Sequence, residues 1–321
     1  MERLDDFMAR ANAAYYATHD PFADFTTAPE IGQMFGELLG AWAAIVWHGL
    51  GKPDPVLLVE AGPGRGTLMR DARRATARVA PDFHAACRLH CIETSPRLRA
   101  AQAVLVPDAT WHDALETVPP GPAIVLANEF LDALPIRQFE SRGGAWMERF
   151  VQDGRFVLRP SARLAPAQDG AVWEDNAAAQ AWVSAVSSRI AAGQGAALIL
   201  DYGSAAPRFG ESLQALRNGR PADPLDRPGE ADLTAHVDFS AIAQAVRHAG
   251  AVPHGPVPQG IFLHALGLRV RTERLAAANP ARAGALRQAA DRLASPSRMG
   301  QLFKALAITP RESPPPPGFP A

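Results

Sequence analysis

The chain has 321 residues, 47% of them hydrophobic, and a formal net charge of -1, which is enough apolar material for a large core. That charge balance leaves no basic field of the kind that drives non-specific nucleic-acid binding, so a DNA or RNA partner is disfavoured. No uninterrupted apolar stretch of about 18 residues occurs, and the start, MERLDDFMAR, carries Glu2, Asp5 and Asp6 without an apolar signal core. Membrane insertion and export are therefore not expected.

Lysine occurs only at Lys52 and Lys304 against abundant Arg, Ala and Pro, a composition that fits a GC-rich bacterial genome and a cytoplasmic protein. Cys87 and Cys91 lie on one predicted strand with no second CxxC, so they read as structural thiols in a reducing compartment. The histidines form no HxH or HxxxH pair and the acids no recognisable ligand cage; no metal is expected.

In chain order, a polar entry at 1–29 leads into IGQMFGELLGAWAAIVWHGLG, whose apolar spacing predicts one long, largely buried helix. TAPE before it fits a capping box, with Thr27 as N-cap, Pro29 in the tolerated first turn and Glu30 reaching back. Strand then helix follows twice, in PVLLVEAGPGRGTLMRDARRATARVA and CRLHCIETSPRLRAAQAVL. ATWHDALETVP holds a short third strand and PAIVLANEFLDALP a strong fourth. This alternation predicts an α/β fold, a mostly parallel sheet with helices on both faces, and ligands on such sheets sit beyond the carboxyl ends of the strands.

AWMERFVQDGRFVLRP alternates around Asp153-Gly154, a hairpin signal that marks an insertion, here placed around 141–190 together with the helix AAQAWVSAVSSRIAAG. GAALILDYG is a fifth strand. HVDFSAIAQAVRHAG is a helix with Asp238 as N-cap, Leu268 to Ser297 a helical elaboration (around 268–298), and QLFKALAIT a closing strand. The expected organisation is an N-terminal arm and helix over 1–50 covering the site, a main domain over 51–310, and a disordered Pro-rich tail over 311–321.

EAGPGRG sets Gly62, Gly64 and Gly66 between the first strand and its helix, where glycine lets the backbone turn tightly and approach a ligand. A dinucleotide site wants GxGxxG, but Thr67 stands where the third glycine would be. GxGxG preceded by an acid suits S-adenosylmethionine instead, whose ammonium needs an acceptor such as Glu60. Glu93, 27 residues after Gly66 at the end of the second strand, can accept from both ribose hydroxyls, as acids of NAD enzymes also do. Asp113, after the third strand, is placed either to accept the exocyclic amine of adenine or to cap a helix before ALETV.

These residues carry a resemblance. The blocks DFTTAPEIGQMFGELLG, VEAGPGRGTLMRD, IETSPRLRAAQ, LANEFLDALPIRQF, ILDYG, PGEADLTAHVDF, QGIFLHALG and MGQLFKALA, in order from Asp24 to Ala307, resemble the MidA family of S-adenosylmethionine-dependent methyltransferases, whose mitochondrial members are complex I assembly factors that methylate an arginine. The resemblance implies a Rossmann-like methyltransferase sheet, seven-stranded with the last strand antiparallel, an N-terminal helical segment and an inserted elaboration. It also implies S-adenosyl-L-methionine as cofactor and, as protein substrate, a hydrophilic subunit of NADH:quinone oxidoreductase or, for a bacterial member, another protein client. The front departs from the family: Ala14 and Ala23 stand where GYY and GDF carry glycine, and the loop between them is shortened.

The implied chemistry asks for acids. A guanidinium is protonated and delocalised, hence a poor nucleophile; carboxylates that grip two of its nitrogens align the third. Glu129 is the first candidate for that clamp and Asp132 the second, with Asp201 after the fifth strand and Glu230 and Asp232 in PGEADLTAH as further acids. Asp132 could instead cap the turn before Leu134-Pro135, and Asp201 could simply end its strand. Asn128 is placed to hold the cofactor's methionine end, His236 to act as a base or contact substrate or merely to pack in its loop. In the resemblance the N-terminal segment lies over the cofactor, which makes Phe25 and Thr26 candidates for lining the methyl-donor pocket. Two other readings remain at this point: an assembly or docking factor that binds the cofactor without turnover, and a nicotinamide oxidoreductase, which Thr67 disfavours. The helices near Met34 to Leu50 and the late Ala-rich helices would either cover the site or form a homodimer.

Overall fold

A computed structural model describes residues 1–19, 26–162, 168–193 and 195–320. The chain divides into two compact units: Met1–Phe25, Leu131–Trp182 and Ser204–Ile242 form the smaller, and Thr26–Phe130, Val183–Gly203 and Ala243–Ala321 the larger.

The larger unit is the predicted α/β sheet. Its elements are α1 (Ala28–Ile31), α2 (Met34–Gly49), β1 (Val56–Ala61), α3 (Thr67–Val79), β2 (Cys87–Ile92), α4 (Pro96–Leu105), β3 (Thr110–His112), β4 (Ala123–Asn128), β5 (Gly195–Ser204), β6 (Val252–Pro258), α5 (Gln259–Ala265), α6 (Leu268–Ala278), α7 (Ala283–Ala294) and β7 (Phe303–Thr309). Seven strands run in the order β6-β7-β5-β4-β1-β2-β3. β3, β2, β1, β4 and β5 are parallel to their neighbours, while β7 is antiparallel to both β5 and β6. Every residue of β1, β4 and β7 is buried, as a sheet covered on both faces requires, which is why VLLV of β1, AIVLA of β4 and ALAI of β7 read as apolar runs. Phe35, Leu39 and Trp42 of α2 join Leu58, Leu126 and Leu198 of the central strands in one cluster. Cys87 and Cys91 are free and buried; burial pushes the Cys87 thiol up to about 12 and the Cys91 thiol up as well, so both are inert.

Three expectations are corrected. The single long helix is two, because the backbone is extended at Gly32 (φ 176) between α1 and α2. The capping box does not form: Thr27 stands at the N-cap without a side-chain bond, and the Glu30 carboxylate is drawn instead to the Thr67 hydroxyl. The Pro-rich end, expected to be disordered, is packed. Phe319 lies against Phe262 with ring centroids 5.3 Å apart, and the carbonyl of Pro317 accepts the indole N–H of the buried Trp42 at 3.1 Å. A buried indole donor needs such a partner, and the Pro317 carbonyl supplies it.

The smaller unit is built on antiparallel strands. Arg137–Arg142, Ala145–Gln152, Arg155–Pro160 and Val172–Asp175 form a sheet with Glu2–Arg3 at its edge. The hairpin expected at Asp153-Gly154 is there, with both residues at positive φ (51 and 69), the twist that a two-residue turn demands. A second sheet joins Gln214–Arg217, Arg220–Ala222 and Asp232–Thr234. The polar entry contains a helix, Leu4–Thr18, whose Leu4, Phe7, Met8 and Ala11 pack with Ile136, Val151 and Leu233. Asn12 pins it, donating to the carbonyls of Ala133 and Leu233 and accepting the Leu233 N–H. Asp238 caps the following helix as expected, its Oδ1 accepting from Ser240 and Ala241 at 2.9 and 3.0 Å. Among the described residues no helix is long and apolar enough to cross a membrane.

Candidate functional site

β1 ends in Glu60 and Ala61, and the chain then turns through three left-handed glycines, Gly62 (φ 61), Gly64 (φ 56) and Gly66 (φ 86), before α3 starts at Thr67. The left-handed region costs an L-residue about 1–2 kcal/mol and a glycine nothing. The turn is closed by Gly62 N–H donating to the Ile92 carbonyl at 3.0 Å and Gly66 N–H to that of Pro63 at 2.8 Å. The first of these bonds fixes the turn against the end of β2.

Glu60 is 2% exposed and its Oε2 has no hydrogen-bond partner among the described residues. Burial alone pushes its carboxyl up to about 8. On the adjacent strand β4, Asn128 is likewise buried, with Oδ1 unsatisfied and Nδ2 turned to Glu129 Oε1 at 3.1 Å. Two buried acceptors without donors, at the carboxyl ends of neighbouring strands, are costly unless a donor-rich group is held there. An ammonium is such a group, so the residues fit the methionine end of S-adenosylmethionine.

At the end of β2, Glu93 is half-buried and held by Ser95 N–H on Oε1 (2.8 Å) and Gln102 Nε2 on Oε2 (3.2 Å). Burial raises its carboxyl above the usual range while the Ser95 and Gln102 bonds pull the other way. Gln102, fully buried in α4, was not singled out in the sequence. Its Nε2 also donates to the Gly64 carbonyl (2.8 Å) and its Oε1 accepts from Trp111 Nε1 (2.7 Å), so one amide braces the glycine turn, the β2 acid and β3. An uncharged side chain on a helix face gives no chemical signal; only its place in the block IETSPRLRAAQ pointed to it. Asp113 has a side chain 79% exposed and accepts from Arg99 at 2.7 Å, and Arg99 Nε donates to the Glu93 carbonyl at 2.6 Å. The short helix after it, Leu115–Thr117, takes Ala114 as N-cap, so Asp113 does not cap it.

The chain leaves β4 through Glu129, a non-glycine residue at φ 50. Its N–H donates to Leu200 of β5 at 2.9 Å, and its Oε1 accepts from Ala28 N–H at 2.9 Å as well as from Asn128. Asp201, fully buried at the end of β5, accepts Phe130 N–H on Oδ2 (3.2 Å) and Tyr202 N–H on Oδ1 (2.9 Å). Glu60, the three glycines, Glu93, Asp113, Asn128, Glu129 and Asp201 thus all belong to the larger unit, as does Thr26, which is exposed. Phe25 and Ala23 lie outside the described residues.

Asp132 and His236 belong to the smaller unit. Asp132 is buried, its carbonyl accepting Ala235 N–H at 2.9 Å. Nearby, Tyr16 donates its hydroxyl to Asp232 Oδ1 at 2.6 Å; burial, then the charges of Asp232 and Asp132, drive that phenol well above its ordinary value. His236 receives Arg208 Nη1 on Nδ1 at 3.3 Å, and burial followed by the Arg208 charge holds its imidazole below the ordinary range, hence neutral near pH 7. Glu230 pairs with Arg227 at 3.1 Å on the surface. No group of three His, Cys, Asp or Glu that would hold a metal occurs among the described residues.

Residues 38–257 match the model of a family of S-adenosyl-L-methionine-dependent methyltransferases. The chain is 36% identical to the mitochondrial protein arginine methyltransferase NDUFAF7 homolog of Drosophila melanogaster, over 96% of this chain and 80% of that protein. It is 33% identical to the mitochondrial protein arginine methyltransferase NDUFAF7 of Rattus norvegicus, over 97% and 80%. Among solved structures, a Burkholderia thailandensis protein bound to S-adenosyl-homocysteine superposes with a TM-score of 0.83 at 27% identity, covering 98% of this chain and 89% of that one. A native structure from the same organism gives 0.84 at 29% identity with the same coverage. With the glycine turn, the two unsatisfied acceptors and the strand order already in place, the chain belongs to the S-adenosyl-L-methionine-dependent methyltransferase family, and S-adenosyl-L-methionine is its cofactor.

Proposed function

We propose that the enzyme is a protein arginine N-methyltransferase, that its client is a hydrophilic subunit of NADH:quinone oxidoreductase, and that it works in a bacterial cytoplasm. The observation that carries the reading is Glu129. A left-handed glutamate costs about 1–2 kcal/mol and persists only where the surroundings over-determine it, which is typical of functional sites. Here Leu200 and Ala28 hold it at the carboxyl edge of the sheet, beside the residues that fit the donor. The names of the Drosophila and rat relatives support arginine as acceptor; those relatives are mitochondrial, and the cytoplasmic placement rests on composition.

When bound, S-adenosylmethionine supplies a sulfonium methyl open to in-line displacement. Glu60 and Asn128 would hold the ammonium of its methionine end, Glu93 its ribose hydroxyls, Asp113 the adenine amine, and Thr26 would line the donor pocket. Glu129 takes hydrogen bonds from two guanidinium nitrogens, which turns the third toward the methyl and draws positive charge away from it. Asp201 works through the Phe130 N–H to keep the Glu129 turn in place. Within the smaller unit, Asp132 is a further carboxylate suited to an acceptor, and His236, held below its ordinary range by burial and the Arg208 charge, is suited to accept a proton. The test is incubation with methyl-labelled donor and a cell lysate. Label recovered on arginine of a protein supports the reading; label only on small molecules or nucleic acid refutes it.

A further inference from the structure

Inside the larger unit the glycine turn and the Glu129 turn are tied together at two points. The Phe130 ring lies against Gly62, where an added methyl group would come within 2.9 Å of Phe130 Cδ2. The second tie runs through α1. Ala28, its first residue, donates its N–H to Glu129 Oε1 at 2.9 Å, and Glu30, two residues on, accepts the hydroxyl of Thr67, the residue with which α3 begins directly after Gly66. α1 has only four residues and ends at the extended Gly32. So short a helix has almost no internal support, so its outside contacts, the buried Ala28 and half-buried Ile31 against the core and Glu30 on Thr67, together set where the Ala28 N–H points.

We propose that Glu30 is a positioning residue that transmits donor binding at the glycine turn to the acceptor carboxylate of Glu129. A donor seated on the turn fixes Gly62 through Thr67. Thr67 holds Glu30, α1 presents the Ala28 N–H to Glu129 Oε1, and the carboxylate is aligned for a guanidinium only then, so addition is ordered with the donor first. The proposal rests on the reading of Glu129 as the acceptor-side group, and the experiment separates the two.

Hydrogen–deuterium exchange is followed in peptides covering Thr27–Ile31 and Asn128–Phe130, with and without S-adenosyl-homocysteine, in the wild type, Glu30→Gln, Glu30→Ala and Thr67→Val. Ligand binding protects both peptides in the wild type and in Glu30→Gln, whose amide oxygen still accepts from Thr67. In Glu30→Ala and Thr67→Val the ligand binds with a Kd within about threefold of wild type but no longer protects either peptide. With a protein acceptor, those two variants lose about tenfold in kcat, as loss of a hydrogen bond to a charged group would give, and the double variant loses no more than either single one. Equal protection in Glu30→Ala and wild type, or no protection of either peptide in the wild type, overturns the proposal. So does loss of ligand binding in Glu30→Ala, which would make Glu30 a prop of the donor site alone. Exchange coupling without any arginine labelling would uphold the tie and sink the arginine reading.

Discussion

The fully buried Asp201 carboxylate accepts the backbone N–H of Phe130 at 3.2 Å and that of Tyr202 at 2.9 Å, so the acid that ends the fifth strand holds the turn that leaves the fourth. Asp201→Asn replaces one acceptor oxygen with a donor that faces a donor. A buried polar group left unsatisfied costs about 1–3 kcal/mol, and chemical denaturation of the Asp201→Asn protein is expected to show that loss. Because the Glu129 turn is what it supports, transfer should fall more steeply than S-adenosyl-homocysteine affinity.

Glu60 makes the donor-free protein pH-sensitive. Its folded carboxyl lies at about 8 against an ordinary 4.5, so the neutral acid is the form the fold favours. The stability it contributes is full below pH 4.5 and drains as pH rises through 8, an effect of a few kcal/mol. Glu60→Gln is expected to remove this slope in thermal melts. The ammonium of the donor favours the ionised acid, so S-adenosyl-homocysteine affinity should rise with pH up to about 8. Calorimetry in buffers of different ionisation enthalpy should register a proton released on binding, absent in Glu60→Gln.

Gly62 faces two obstacles to substitution, a φ of 61 and the Phe130 ring at 2.9 Å from any Cβ. Gly62→Ala should therefore cost about 1–2 kcal/mol from the backbone alone, more from the clash, and abolish measurable cofactor binding. Gly66 has the same strained backbone (φ 86), but its nearest neighbour is Gln102 at 3.5 Å, an ordinary contact. Gly66→Ala should keep weak binding by the same titration.

How much of this was legible in the sequence follows from what each element buries. β1, β4 and β5 are unbroken apolar runs ended by polar residues, and the glycine spacing selected the cofactor, so the strands and the cofactor could be read directly. β6, Val252–Pro258, could not: it contains Pro253, Pro256 and Pro258, which argue against a strand and are tolerated only at a sheet edge, where β6 lies. The break at Gly32 was hidden because the Glu30–Thr67 contact spans 37 residues, beyond any local pattern. The partition of the acids was hidden for the same reason. Glu129 and Asp132 are three residues apart, yet they fall in different compact units.

The packed C-terminal end yields a stability test. Deleting residues 314–321 removes the Phe319–Phe262 contact and strands the Trp42 indole N–H that Pro317 satisfies. Losing this aromatic contact, in which Phe319 is half-buried, together with the indole hydrogen bond should cost about 2–4 kcal/mol. Thermal unfolding of the truncated chain against the full one measures it; an unchanged midpoint would show that the segment is not held.

The central claim is that Glu129 grips the acceptor while other residues hold the donor. The direct measurement is Glu129→Gln assayed side by side for S-adenosyl-homocysteine affinity and for transfer of labelled methyl to protein arginine. The account predicts affinity close to wild type and transfer reduced by about 10²–10³-fold, as for loss of one electrostatic stabiliser. Arginine labelling by Glu129→Gln at the wild-type rate would contradict it.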